Sequence, residues 1–292
     1  MTKNIKSYDS IFIEPKCCSG HVEVYKELIR TKLSSGTVLF VSTSAYLNNF
    51  DDLEVDKHVI NTIDTSNKIL YRLQQIIFLF KLALFLRNIS YKECIFLSYE
   101  NISFFPFSYT NNRIFVLEHN NIDQLLSSKL KSLFYRFTSN EVEHIVFEDY
   151  IGEYINSKYN KKYSVLEHPK RLIVSLEPDE IDRDYVFCPS GDASYDFLIK
   201  LSRYCKHNNF LLITKDKYDL SQECNVIQKK FFSNYDTIFK NAKYIAIGVD
   251  FSYRVSGVFY EAIANGKRVI LNDCIFSSHV TRKYNKNIEI VL

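Results

Sequence analysis

The chain has 292 residues, 46% hydrophobic and 24% charged, with 37 Lys and Arg against 34 Asp and Glu for a formal net charge of +3. That length accommodates about two domains of ordinary size, and the wealth of Leu, Ile, Val and Phe excludes whole-chain disorder. Charge near balance and the absence of a long basic block argue against a dedicated nucleic-acid binder with a strong electrostatic footprint, and leave room for a local anion site.

The opening stretch, MTKNIKSYDSIFIEP, lacks the apolar core and small-residue cleavage site of a secretory signal, so a cytoplasmic protein is expected. From there, short apolar or β-branched runs alternate with helical patterns, the signature of parallel α/β sheets. Strands are predicted over 10–14, 37–42, 58–60, 94–98, 113–118, 144–147 and 163–166, with helices over 21–32, 66–87, 123–137 and 150–159. Within the second helix, 76–86 is too short to span a bilayer and Lys81 interrupts it, so a buried helix is expected there rather than a membrane-surface one. Lys68, Arg72, Lys81, Arg87 and Lys92 nearby leave peripheral contact with anionic lipid open.

The segment HPKRLIVSLEPDEIDRD holds two of the five prolines and a cluster of charge, which places a hinge there and divides the chain into 1–170 and 171–292. Beyond it the strand pattern resumes over 185–188, 210–214, 225–227, 244–248, 268–271 and 288–291, with helices over 194–207, 235–240 and 257–265. The expectation is α/β throughout: two Rossmann-like domains facing one another across a cleft, with ligands beyond the carboxyl ends of the strands. The seven cysteines are scattered and odd in number, without paired or Cys/His ligand spacing, so they are expected to be reduced, mostly buried hydrophobes, and no metal is expected. Asp182-Arg183-Asp184 precedes a strand instead of ending one, so it is expected to be a solvated linker and not a metal motif.

Glycines are few, and Gly20, Gly191 and Gly257 each follow a predicted strand and open a helical stretch. Such positions let backbone approach a phosphate at a helix amino terminus. No GxGxxG follows the first strand and no GxxxxGK[ST] occurs, which argues against dinucleotide dehydrogenases and P-loop NTPases. The densest signal is 244–272, YIAIGVDFSYRVSGVFYEAIANGKRVILN: a strand, a polar loop, a helix from about Ser256, a stop at Gly266 and another strand. Arg254 with helix-terminal N–H groups at Ser256 and Gly257 would hold a diphosphate, and Glu261, a turn further in, would accept the hydroxyls of a ribose.

The run Glu261-Ala262-Ile263-Ala264-Asn265-Gly266-Lys267-Arg268-Val269-Ile270 resembles the Glu-Ala-x-Ala-x-Gly-x-Pro-Val-Ile signature of GT-B glycosyltransferases, especially the bacterial lipopolysaccharide and capsule enzymes similar to glycosyltransferase family 4. In that family the residue matching Glu261 contacts the ribose of the sugar nucleotide. Tyr253 stands where the family has the first carboxylate of its paired glutamates, and Lys267-Arg268 where Gly-x-Pro is usual. The resemblance implies transfer of a sugar from a nucleotide diphosphate sugar, expected to be a UDP-sugar, to a hydroxyl of a glycan or lipid-linked acceptor, at the inner face of the membrane and without a metal or other cofactor.

Further candidates follow from strand ends. His119 closes one strand of the first half and is expected to act as a base or to bind the donor sugar, and His21, which follows Ser19-Gly20 after the first strand, is placed to act as a base on an acceptor hydroxyl. Ser190 and Gly191 are expected to open the first helix of the second half and line the donor site, and Lys215, after another strand, to pair with phosphate. Two alternatives stand beside this reading. One is a sugar-nucleotide 2-epimerase or hydrolase on the same fold; the other is a catalytically silent subunit that binds a partner enzyme through the 76–86 helix.

Overall fold

The computed structural model describes residues 6–62, 67–110, 113–119, 121–174 and 181–292. Ser66, Asn120 and the middle of the expected hinge segment lie outside the described residues, as does the start of the chain. The chain divides into two compact units, Met1–Pro169 and Lys170–Leu292.

The first unit carries a seven-stranded sheet, all parallel, in the order β3-β2-β1-β4-β5-β6-β7. Its strands are β1 (Ser7–Ile13), β2 (Val38–Ser42), β3 (Asp56–Val59), β4 (Ser90–Phe96), β5 (Ile114–Leu117), β6 (Glu143–Val146) and β7 (Lys162–Val165). Between them run α1 (Val22–Leu33), α2 (Ser44–Leu47), α3 (Lys68–Leu86), α4 (Asn101–Phe107), α5 (Asn121–Ser127), α6 (Lys129–Phe137) and α7 (Asp149–Tyr159). The second unit has β8 (Tyr185–Cys188), β9 (Leu211–Lys215), β10 (Val226–Lys229), β11 (Tyr244–Ile247), β12 (Arg268–Leu271) and β13 (Ile288–Val291), connected through α8 (Tyr195–His207), α9 (Tyr235–Asn241), α10 (Gly257–Ala264) and α11 (Ile275–Lys283). Its six strands are again all parallel, in the order β10-β9-β8-β11-β12-β13.

Central strands are buried on both faces, which is why they read as unbroken apolar runs instead of alternating ones. Val186, Phe187, Ile245, Ala246, Val269 and Ile270 are fully buried in the second sheet, and Ile11, Ile13 and Phe96 in the first. Each predicted strand corresponds to an observed one. The predicted helix over 123–137 is two helices, α5 and α6, because Ser128 leaves helical geometry and its hydroxyl caps the second through the Lys131 N–H. α2, α4 and α11 were not anticipated.

The cysteines carry no disulfide. Cys94, Cys188 and Cys205 are buried as expected, whereas Cys224 is exposed and Cys17, Cys18 and Cys274 are half-buried. A larger difference concerns α3. Phe78, Leu79, Leu82 and Leu86 pack into the core beneath it, but Ile76, Ile77, Phe80 and Leu84 on its other side are exposed. The expectation of a buried helix holds for one face only: the apolar run has no polar side to mark where burial ends.

Candidate active site

In sheets of this order, crevices form beyond the carboxyl ends of the strands where the winding reverses, between β1 and β4 in the first unit and between β8 and β11 in the second. Each unit brings distinctive side chains to that position.

In the second unit, the loops after β8 and β11 are tied together by the Ser194 N–H, which donates to the Gly248 carbonyl at 3.0 Å. Glycine is required at 248: a Cβ there would sit 2.2 Å from the Phe197 ring and 2.9 Å from the Ala193 side chain. Ser190 and Gly191 lie in the loop after β8, with the Ser190 hydroxyl accepting the Asp192 N–H at 3.2 Å and open space around Gly191. They do not open the helix as expected; α8 begins at Tyr195, where Ser194 is the cap that accepts the Phe197 N–H.

Beyond β11 the chain runs to α10, which is capped as the sequence suggested. The Ser256 hydroxyl, almost fully buried, accepts the Phe259 N–H at 3.2 Å, and exposed Gly257 is the first helical residue. Capping leaves the remaining first-turn N–H groups with the positive end of the helix dipole. Just ahead, the Arg254 guanidinium lies 4.4 Å from the centre of the Phe251 ring, a stacked placement that orients the fork. The helix stops through paired bonds, Lys267 N–H to Ala262 carbonyl at 2.9 Å and Gly266 N–H to Ile263 carbonyl at 3.1 Å. Gly266 adopts φ +66°, the left-handed conformation this stop requires. The Asn-Gly of the sequence signature is therefore a helix terminator that returns the chain into β12.

Glu261 sits one turn into α10 with both oxygens engaged. Oε1 accepts from Arg171 at 2.8 Å and Oε2 from the Tyr235 hydroxyl at 2.9 Å. Arg171 forks across to both oxygens of Asp236 at 2.8 and 2.7 Å, and Asn265 holds the same segment by accepting the Ile173 N–H at 2.8 Å and donating to the Arg171 carbonyl at 2.8 Å. Arg171, Tyr235 and Asp236 were not anticipated, because Arg171 and Glu261 are 90 residues apart. Lys215, at the end of β9, donates to the Lys230 carbonyl at 3.2 Å and lies 5.2 Å from the Phe232 ring centre. It is held toward β10, the strand at that edge of the sheet.

In the first unit, His21 and His119 come together. Their rings stack with centroids 4.3 Å apart and 23° between planes, although one follows β1 and the other β5. Tyr25 and Phe147 complete the surround, with ring centroids 5.4 Å from that of His119. Burial pushes the imidazolium down at both histidines, at His119 well below the usual range, with Lys16 adding to the effect. His168 stands next to Phe147 at 4.7 Å and is pushed down to about 4, again mainly by burial. All three imidazoles are therefore neutral at pH 7.

Two buried carboxylates underlie this group. Glu14, at the end of β1, is fully buried; Oε1 accepts from the Ser98 hydroxyl and, at 3.0 Å, from the Lys16 N–H, and burial pushes its carboxyl up. Glu118, at the end of β5, accepts from the Tyr99 hydroxyl at 2.6 Å and lies 2.7 Å from His144 Nδ1, both side chains being wholly buried. Neither carboxylate was singled out from sequence; each closes an apolar strand run and reads there as a strand terminus. Among the described residues no cluster of three or more His, Cys, Asp or Glu could hold a metal ion.

The two units, each a doubly wound parallel sheet, define the GT-B fold of glycosyltransferases, and solved structures bear this out. The chain is similar to a glycosyltransferase from Rickettsia africae ESF-5 (TM-score 0.65, 13% identity, 98% of this chain and 84% of that one). It is similar to Anabaena Alr3699/HepE in complex with UDP and glucose (TM-score 0.67, 10% identity, 97% and 85%) and to a UDP-N-acetylglucosamine 2-epimerase (TM-score 0.59, 11% identity, 99% and 83%). No family model and no curated relative matches the chain.

Proposed function

We propose that the chain is a glycosyltransferase that moves a sugar from a nucleoside diphosphate sugar, UDP-linked, to a hydroxyl of a glycan or lipid-linked acceptor in the assembly of a bacterial surface polysaccharide on the cytoplasmic side of the membrane. The observation that carries it is the arrangement after β11: a ring-stacked Arg254 ahead of the capped amino terminus of α10, in a connection whose Gly248 is tied to Ser194 after β8. A guanidinium fork and helix N–H groups suit a diphosphate, whose negative charge grows as the glycosidic bond breaks. Glu261 keeps a second lone pair on each oxygen after serving Arg171 and Tyr235, enough to accept from ribose hydroxyls. Lys215 is the outermost candidate for phosphate.

Donor binding belongs to the second unit and acceptor binding to the first. The acceptor oxygen attacks the anomeric carbon, the bond from that carbon to the diphosphate oxygen breaks, and a base takes the acceptor proton; His21 and His119 are the candidates for that base. No metal is expected in this reading, since Arg254 and backbone N–H groups stand ready to take the charge of the departing diphosphate.

Titration with UDP, GDP, CMP and ADP, followed by turnover of the matching sugar conjugate, tests the reading. Selective binding of one nucleotide that is lost in Arg254→Ala, with release dependent on an added acceptor, supports it. The epimerase or hydrolase reading is favoured by the shared fold with a solved 2-epimerase, and without any acceptor a 2-epimerised sugar nucleotide would select the first and UDP release the second. No nucleotide binding at all would leave the silent-subunit reading in its place.

A further inference from the structure

α3 has two opposed apolar faces. At roughly 100° per residue, Ile69, Leu73, Ile76, Ile77, Phe80 and Leu84 form one stripe along the helix, and every one of them is exposed, Ile69 at 77% and Phe80 at 65%. The opposite stripe, around Phe78 and Leu82, is fixed in the domain core, and the Gln75 amide donates to the Pro15 carbonyl at 3.0 Å. α3 is long and apolar enough to cross a membrane, with 28% of its most apolar window buried. The inward anchoring nevertheless keeps it part of the domain. α6 repeats the pattern on a smaller scale: Leu130, Leu133 and Phe137, at i, i+3 and i+7, are each about half exposed.

These helices form a layer with α4. The Ser103 hydroxyl of α4 donates to the Arg72 carbonyl of α3 at 3.3 Å, and Phe105 packs on Phe134 of α6 at 5.6 Å. Charge within the layer has one sign. Lys68, Arg72 and Lys81 on α3, and Lys129, Lys131 and Arg136 on α6, face no acidic residue on α3, α4 or α6. Glu100, buried at the amino cap of α4, accepts the Ser103 N–H at 2.8 Å and lies 3.8 Å from Arg72. Burial is the main influence on Lys131 and pushes its ammonium down; among nearby charges Glu100 acts on it most, opposed by Lys16, Arg72 and Lys68.

We propose that the outward face of α3 and α6 is the surface by which this protein docks on an anionic phospholipid bilayer, with the apolar stripe at the acyl boundary and the Lys and Arg side chains among the headgroups. A wide apolar stripe flanked by six basic residues, against one buried acid at the α4 cap, fits that occupant. A second copy of this chain would bring two basic layers together, which charge disfavours. The inference stands apart from the donor-site reading, since it involves neither Arg254 nor Glu261.

The test is flotation of the full chain with vesicles of phosphatidylcholine alone or mixed with phosphatidylglycerol. Three proteins are compared: the parent chain, an apolar-face variant (Ile69→Ser, Leu73→Ser, Phe80→Ser) and a charge variant (Lys68→Gln, Lys81→Gln, Lys129→Gln). The expected result is binding to mixed vesicles only, weakened by salt, falling about fivefold for each Lys replaced and lost in the apolar-face variant while circular dichroism and thermal unfolding stay those of the parent. Equal binding by all three proteins, binding independent of phosphatidylglycerol, or no binding by the parent would overturn the proposal. So would a dimer in analytical ultracentrifugation that the apolar-face variant dissolves. Nucleotide titration of the same proteins separates this outcome from any failure of the donor site.

Discussion

The carboxyl edges of the two sheets solve different problems with the same topology. In the first unit the edge is built from titratable groups, Glu14, Glu118 and His168 buried and His21 and His119 half-buried, held by aromatic rings and by hydroxyl donors. In the second it is built from a stacked cation, a glycine-spaced loop and a capped helix end, with Glu261 tied into an ion-paired network. Under the proposed function the first edge would handle a proton, which suits displaced pKa values such as that of His168, and the second would hold a diphosphate, which suits permanent charge and fixed donors. The contrast implies that substitutions at the first edge act on stability and pH dependence, and those at the second on ligand affinity.

The largest expected effect comes from Glu118→Ala. It leaves the Tyr99 hydroxyl and His144 without their shared buried acceptor and should lower unfolding free energy in urea by about 3 kcal/mol. A loss within error of zero would show that this edge does not depend on its buried network.

Acid titration gives the next largest. His168 titrates near 4 when folded and near 6.5 when unfolded, so the unfolded chain takes up the proton first. Stability is full above about pH 6.5 and falls as pH drops toward 4, by up to about 3 kcal/mol for this one group. His21 and His119 add loss of the same sign. A His168→Gln protein should show a shallower fall between pH 6.5 and 4; a profile unchanged from the parent would remove His168 from the account. For the same reason the acid limb of the turnover profile should lie below the usual histidine range.

At the second edge, Arg254→Ala should weaken UDP binding about 10- to 100-fold, the worth of a charge-assisted contact, with the melting temperature of the free protein unchanged. A change in melting temperature without a change in affinity would erase the contrast between the two edges. Gly248→Ala changes packing and removes no ligand-facing group, so it stands outside that contrast: stability should fall by about 1 kcal/mol as Phe197 is forced aside, with affinity altered only through the displaced loop.

Much of the fold was legible because a parallel sheet buried on both faces leaves apolar runs that need no partner to be recognised. What stayed hidden depended on partners distant in sequence. Arg171 reaches Glu261 from 90 residues away, and nothing near Glu14 signals that Ser98 will meet it across the β1–β4 boundary. His21 and His119 were legible singly as strand-end histidines, but their stacking follows from strand order, in which β4 alone separates β1 from β5. The outward face of α3 was misread because apolarity all round a helix is taken for burial, whereas Ile69 and Phe80 remain at the surface.

Calorimetric titration of UDP into the parent protein and Arg254→Ala tests the central claim most directly, with thermal unfolding of each recorded alongside. The account expects saturable binding by the parent, with stabilisation of about 2.7 kcal/mol at a hundredfold excess over Kd, and at least a tenfold loss of affinity in an equally stable variant. Parent and variant that bind UDP alike, or a parent that binds no nucleoside diphosphate, would contradict it.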